Sequence, residues 1–249
     1  MIDDATRNAT NDAADRATHH ATGDAIPNPH PAPSPAGHRH REPKPSIAVI
    51  GYRGSGKSTV GRLLATDLGA RFVDTDDRVV ERSGMSIADI FATEGEAGFR
   101  RREADAIAEV TASTSDPVHP VSESPPDRSN HADTATPVVI SVGGGAILHD
   151  PNVAALRAAA IVVWLTAPAD VLWDRIRCDK HTPSARPPLT PSGGLSEVRR
   201  LLHQRSPRYR AAADIIIDTA GVSPHDVAAR IEAELRAQRA RRDHTAPGP

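Results

Sequence analysis

The chain has 249 residues, a formal net charge of −2 and a single cysteine, Cys178. That charge offers no basic field to attract nucleic acid, and one cysteine excludes an internal disulfide and a cysteine-based zinc site. Hydrophobic residues make up 38% but aromatics only 3%, so the core must be built from Val, Ile, Leu and Ala. No apolar run reaches the ~18 residues of a membrane helix, and the N-terminus has no apolar signal region.

In chain order, residues 1–45 are rich in Ala, Asp, Thr, His and Pro and bury too little apolar surface to offset chain ordering, so a disordered tail is expected. A domain is expected over 46–240. It is interrupted at 111–137 by a disordered insert, "TASTSDPVHPVSESPPDRSNHADTATP", and followed by a loose C-terminus at 241–249. Within the domain, short β-branched runs at 47–50, 71–73, 138–142, 161–165 and 215–218 are apolar on both faces, as buried parallel strands are. Helical periodicity separates them: Val60, Leu63, Leu64 and Leu68; Val198, Leu201 and Leu202; Val227, Ile231 and Leu235. Strands alternating with helices imply an α/β fold with a doubly wound parallel sheet between two helical layers.

The first strand, "IAVI", runs into "GYRGSGKST". Gly51-x4-Gly56-Lys57-Ser58 has the form of a phosphate-binding loop, with the required strand before it and helix after it. Phosphate oxygens are held by converging backbone N–H groups, and side chains would block that approach. The next helix turns its positive end toward the anion. Lys57 supplies a point charge for the β- and γ-phosphates, and Ser58 a hydroxyl for Mg²⁺. Only three lysines occur, Lys44, Lys57 and Lys180, so the placement of one here is a strong signal. The ligand expected is a nucleoside triphosphate with Mg²⁺.

After the second strand comes "DTDD", residues 74–77. Asp74 and Asp76 can serve as an acidic helix start, or as one group that orients an attacking hydroxyl and another that holds a Mg²⁺ water. "MSIADIFATEGEAGFRRRE" follows, with Gly95 and Gly98 predicting two helices and a bend. Arg100 and Glu103 can pair at i, i+3, whereas Arg101 and Arg102 read as solvated. Three glycines, 143–145, end the third strand, as a turn or as a close backbone approach to ligand. "CDKHTPSARPPLTPSGG", residues 178–194, suits a mobile lid carrying Arg186. Ser141 stands where a nucleic-acid ATPase would carry an acidic residue, which disfavours that class.

Taken together, these segments resemble the shikimate kinase family: the glycine loop, D-[ST]-D at 74–76, S-I-x-x-I-F-x-x-x-G-E-x-x-F-R-x-x-E at 86–103, G-G-G at 143–145, R-P-x-L at 186–189 and R-x-x-x-Y at 205–209. The resemblance spans roughly residues 46–238 and implies a five-stranded sheet of order 2-3-1-4-5 with a mobile lid. It implies ATP-dependent phosphorylation of the 3-hydroxyl of shikimate in aromatic amino-acid biosynthesis. Asp76, Lys57 and Arg186 would be catalytic. Gly51, Gly54, Ser55, Gly56, Lys57, Ser58, Thr59 and Arg186 would bind ATP. Asp76, Arg100, Gly144, Gly145 and Arg205 would bind shikimate. Mg²⁺ would lie on Ser58 directly and on Asp74 through water, and Arg177 is the candidate to stack on adenine. The protein is expected to be a cytoplasmic monomer that uses neither nucleic acid nor membrane. The tail and the insert have no counterpart in the family. Alternatives are another small-metabolite kinase, such as a gluconate kinase, or a nucleotide-binding module without turnover.

Overall fold

A computed structural model describes residues 45–114, 136–179 and 194–245. Five parallel strands, β1 (Ile47–Gly51), β2 (Arg71–Asp74), β3 (Val138–Ser141), β4 (Ile161–Thr166) and β5 (Ile215–Asp218), form one sheet of order β2-β3-β1-β4-β5. The helices are α1 (Lys57–Leu68), α2 (Thr75–Ser83), α3 (Ile87–Ala112), α4 (Asp150–Ala159), α5 (Ala169–Cys178), α6 (Gly194–Ala212) and α7 (Pro224–Thr245). A 3₁₀ turn, Ala146–Leu148, follows β3.

The period-2 alternation of a strand sends neighbouring residues to opposite faces. Ile47 and Val49 of β1 join Val60 and Leu64 of α1 and Ile231 of α7 in one core layer. Ala48 and Ile50 join Ile107 of α3, Leu156 of α4 and Tyr209 of α6 in the other. β1 and β3 are buried throughout, as expected. The two outer strands depart from the expectation of two apolar faces. β5 alternates buried and exposed, with Ile216 41% exposed, and Arg71 at the start of β2 is exposed. An edge strand has one flank uncovered by a neighbouring strand and tolerates the exposure.

Two boundaries also differ. α3 carries the expected bend, but at Gly95 alone, where φ is 68° and ψ −174°; Gly98 remains helical. Arg102, expected to be solvated, reaches back across the bend and donates to Glu94 at 2.6 Å, bracing it; Arg101 is exposed, as expected. α3 also continues through Ala112, into the stretch assigned to the insert. α7 continues to Thr245, past the expected boundary at 240, because its run of Ala, Arg and Gln favours helix and no Gly or Pro interrupts it. The tail, most of the insert and Arg186 lie outside the described residues.

α1 packs on one face of the sheet and α4 on the other, so the chain leaves the adjacent strands β1 and β3 in opposite directions. That opens a crevice at the carboxyl ends of these two strands, where an α/β sheet binds its ligand. The phosphate-binding loop and the triple-glycine turn lie side by side there, tied by Val142 N–H donating to Val49 O at 3.1 Å.

Candidate active site

The loop after β1 turns through Gly54, at φ 80°, where an added Cβ would lie 2.9 Å from the Leu172 carbonyl oxygen. Both the left-handed angle and the tight approach to α5 therefore demand glycine. α1 starts on Gly56 with no side-chain cap and no acidic residue in its first turn. Its first N–H groups and its positive end are thus turned to the loop without a competing carboxylate, which is what an anion requires. Lys57 curls over the loop and donates from Nζ to Tyr52 O at 3.1 Å. Ser55 is buried beneath it, while Thr59 is exposed and lines the cavity.

That cavity has a volume of about 560 Å³ and is bordered by Lys57, Ser58, Asp74, Asp76, Gly143 and Gly144, among others. Ser58 Oγ donates to Asp74 Oδ2 at 2.7 Å and lies 3.2 Å from Ser141 Oγ. Asp74 is also the N-cap of α2, accepting from Asp76 N–H at 3.0 Å. The two readings of the acidic pair thus coexist: one Asp74 oxygen starts the helix and the other faces Ser58. Asp77 lines the same cavity. Its side chain is largely exposed, yet partial desolvation pushes its carboxyl up, Asp74 and Asp76 add to this, and Arg62, 3.6 Å away, opposes them.

The triple-glycine turn is where the other groups meet. A Cβ on Gly143 would collide with the Glu103 carboxylate and lie 3.0 Å from Asp76 Oδ1. A Cβ on Gly145 would collide with the Arg100 guanidinium. Arg205, only 8% exposed, donates from Nη1 to Gly144 O at 3.4 Å, and Tyr209 Oη donates to the same oxygen. Arg100 pairs with the fully buried Glu103 at 2.6 Å and with Glu96 at 3.1 Å. Burial works against its charge, but these two carboxylates outweigh it, so the guanidinium is held protonated more firmly than usual. The ring of Tyr52, in the phosphate-binding loop, lies under Arg205 with the guanidinium carbon 5.8 Å from its centroid. A second cavity of about 670 Å³ runs between α3 and the start of α4, with Arg100 and Gly145 on its wall.

Arg177, the candidate to stack on adenine, pairs with Asp174 on an exposed face of α5 and does not border the cavity beside the phosphate-binding loop. Arg175 does: it donates to Gly54 O at 3.4 Å, to Thr219 Oγ1 at 2.9 Å and to Thr219 O at 2.7 Å, joining the phosphate-binding loop to the segment after β5. The sequence carries a signal for this, since Leu172 is buried and Ile176 packs with it, and Arg175 neighbours that inward face.

The family model described as shikimate kinase matches residues 53–118 and 129–236. This chain belongs to the shikimate kinase family. A shikimate kinase from Symbiobacterium thermophilum is 40% identical, over 77% of this chain and 96% of its own length. One from Aromatoleum aromaticum is 35% identical, over 76% and 94%. The solved shikimate kinase from Acinetobacter baumannii, in complex with shikimate, superposes with a TM-score of 0.65 at 32% identity, covering 78% of this chain and 94% of that one. The family model resumes at residue 129 after breaking at 118, inside the stretch predicted as an insert. Members of the shikimate kinase family are phosphotransferases that use ATP, and the chain retains the loop that such a substrate needs.

Proposed function

We propose that the protein transfers the γ-phosphoryl group of ATP to the 3-hydroxyl of shikimate, giving shikimate 3-phosphate and ADP. The observation that carries this reading is the convergence of Asp76, Arg100 and Arg205 on the glycine turn beside the phosphate-binding loop. The N–H groups at the start of α1 and the Lys57 ammonium hold the phosphates of ATP, with Gly51, Gly54, Ser55, Gly56, Ser58 and Thr59 forming the cradle. Arg100 and Arg205 present two guanidinium groups to the shikimate carboxylate, a planar anion that suits them. Gly144 and Gly145 bring backbone close to the ring. Asp76 accepts the proton of the 3-hydroxyl as that oxygen attacks, and the carboxyl group holds it until release. Phosphoryl transfer needs mainly positioning and charge stabilisation, which these groups supply. Arg186 belongs to the same proposal, on the γ-phosphate, from its R-P-x-L sequence. Arg175, which borders the cavity, takes the place of Arg177 as the arginine of α5 assigned to the nucleotide side.

The donors around Ser58 are a hydroxyl, a carboxylate and a second hydroxyl, all hard oxygens that suit Mg²⁺. Among the described residues no group of three His, Cys, Asp or Glu could hold a metal alone, consistent with an ion held largely by nucleotide phosphates and water. When bound, Mg²⁺ neutralises charge on the β- and γ-phosphates. Ser58 and, through water, Asp74 are the residues placed to hold it.

Among the described residues no helix is long and apolar enough to cross a membrane. A cytoplasmic monomer remains part of the proposal, which sedimentation at working concentration checks. The deciding assay is ADP release on a panel of shikimate, quinate, gluconate and nucleoside monophosphates. Turnover on shikimate alone is expected, and a preference for gluconate would overturn the assignment.

A further inference from the structure

Two buried hydroxyl groups hold the glycine turn, one at each end of the same dipeptide. Thr75 Oγ1 accepts the Gly143 N–H at 3.1 Å, and Tyr209 Oη donates to the Gly144 carbonyl. Neither residue has measurable exposure. Thr75 stands between Asp74 and Asp76, so its hydroxyl ties the turn directly to the segment that carries the acid. Tyr209 comes from α6, one helical turn after Arg205, and its ring stacks on Trp164 with centroids 5.6 Å apart. Burial pushes its phenol far up, so the hydroxyl stays a proton donor. A trans peptide is planar, with C=O and N–H pointing in opposite directions. A Gly144 carbonyl fastened toward α6 therefore directs the Gly145 N–H away from α6 and sets the plane against which Arg100 rests.

We propose that Thr75 and Tyr209 are positioning residues for the acceptor: their hydroxyls lock the Gly143–Gly144 segment, and so fix the distance between the turn, Asp76 and the two guanidinium groups. Glycines have no side chains with which to hold themselves, so a run of three takes its orientation from backbone bonds and from neighbouring groups. Without these two bonds the turn keeps its packing, the bonds from Ala146 N–H to Gly143 O and Leu148 N–H to Gly145 O and the longer Arg205 contact, but is held less firmly in orientation. This inference rests on the reading that Gly144, Gly145 and Arg100 face shikimate.

The test is steady-state kinetics on the full chain, with shikimate and ATP varied separately, for Thr75→Val, Thr75→Ser, Tyr209→Phe and Arg100→Ala. Loss of either hydroxyl is expected to raise the shikimate KM roughly three- to tenfold, the scale of one net hydrogen bond, with the ATP KM unchanged. Thr75→Ser, which keeps the oxygen, should restore the wild-type value. Tyr209→Phe removes a single atom and keeps the ring stack, so it carries the test if Thr75→Val does not fold. An unchanged shikimate KM in Tyr209→Phe, with only the melting temperature lowered, overturns the proposal, as does an equal rise in both KM values. Arg100→Ala separates the two levels. If it leaves shikimate binding intact, the acceptor site itself is misassigned. If it weakens shikimate while the hydroxyl variants do not, only the positioning role fails.

Discussion

Replacing Gly145 by alanine adds one methyl group and tests whether Arg100 holds the substrate. Gly145 has φ −108° and ψ −7°, angles that alanine adopts, so the backbone is not strained by the change. The methyl would instead meet the guanidinium. Arg100 Cζ and Nη1 lie 2.6 Å from the Cβ position, where ordinary contact begins at 3.4 Å. The guanidinium must therefore withdraw by about 1 Å, a misplacement that can cost up to ~10²-fold in a positioned site. Glu103 is buried and holds Nη1 at 2.6 Å, so the group shifts on that tether and does not swing free into solvent. The shikimate KM is expected to rise by roughly 10- to 100-fold, with the ATP KM and the melting temperature close to wild type. If Arg100 were only the structural partner of Glu96 and the buried Glu103, the same displacement would lower stability and leave the shikimate KM alone. A wild-type shikimate KM in Gly145→Ala would therefore refute the assignment.

Further outcomes follow from other contacts. Asp76→Asn should keep its ATP affinity, measured by calorimetry, and lose at least ~10²-fold in kcat, the scale of a missing general base; near-normal turnover would remove Asp76 from that role. Asp77→Asn should raise the melting temperature slightly at pH 7 and not under acid conditions. Partial desolvation and two neighbouring carboxylates raise the Asp77 pKa in the folded protein, so ionisation costs the native state as pH climbs from the ordinary carboxylate value through the raised one, by an amount that exposure and Arg62 keep small. An equal gain at both pH values would mean that the charge is irrelevant. Glu94→Gln should loosen the bend at Gly95 and lower the melting temperature slightly, because the Arg102 guanidinium loses a charged acceptor that solvent already screens. Proteolysis or hydrogen exchange across 94–102 would show whether the effect is local. Deleting residues 1–45, which the family model does not match, should leave kinetics and melting unchanged; a drop in either would show that the segment docks.

The sheet was readable because β1, β3 and β4 are short β-branched runs and α1, α6 and α7 repeat apolar residues at helical spacing. The phosphate-binding loop was readable because its chemistry is local, with every necessary residue inside nine positions of sequence. The edges of the sheet were less legible. Strand β5 reads "IIID" whether it is central or peripheral, and only its place beside β4 alone decides that Ile216 is exposed.

The acceptor side is different in kind. Asp76, Arg100, Gly144 and Arg205 come from four separate segments, and no window of sequence contains more than one of them. Family resemblance supplied their roles, whereas the physical reason for the triple glycine emerges only in three dimensions: side chains from α2 and α3 crowd the Cβ positions of Gly143 and Gly145, and backbone of the phosphate-binding loop approaches that of Gly144. Yet the buried partners were partly signalled. Glu103, Ala106, Ile107 and Val110 follow the helical spacing of one inward face, which places a carboxylate in the core and demands a cation beside it. Val198, Leu201, Arg205 and Tyr209 form the same kind of stripe on α6. A charged or hydroxyl-bearing residue on an apolar stripe must find a polar partner when buried. For Glu103 that partner is the Arg100 guanidinium, and for Arg205 and Tyr209 it is the Gly144 carbonyl, so the burial pattern of two helices already pointed to the surroundings of one loop.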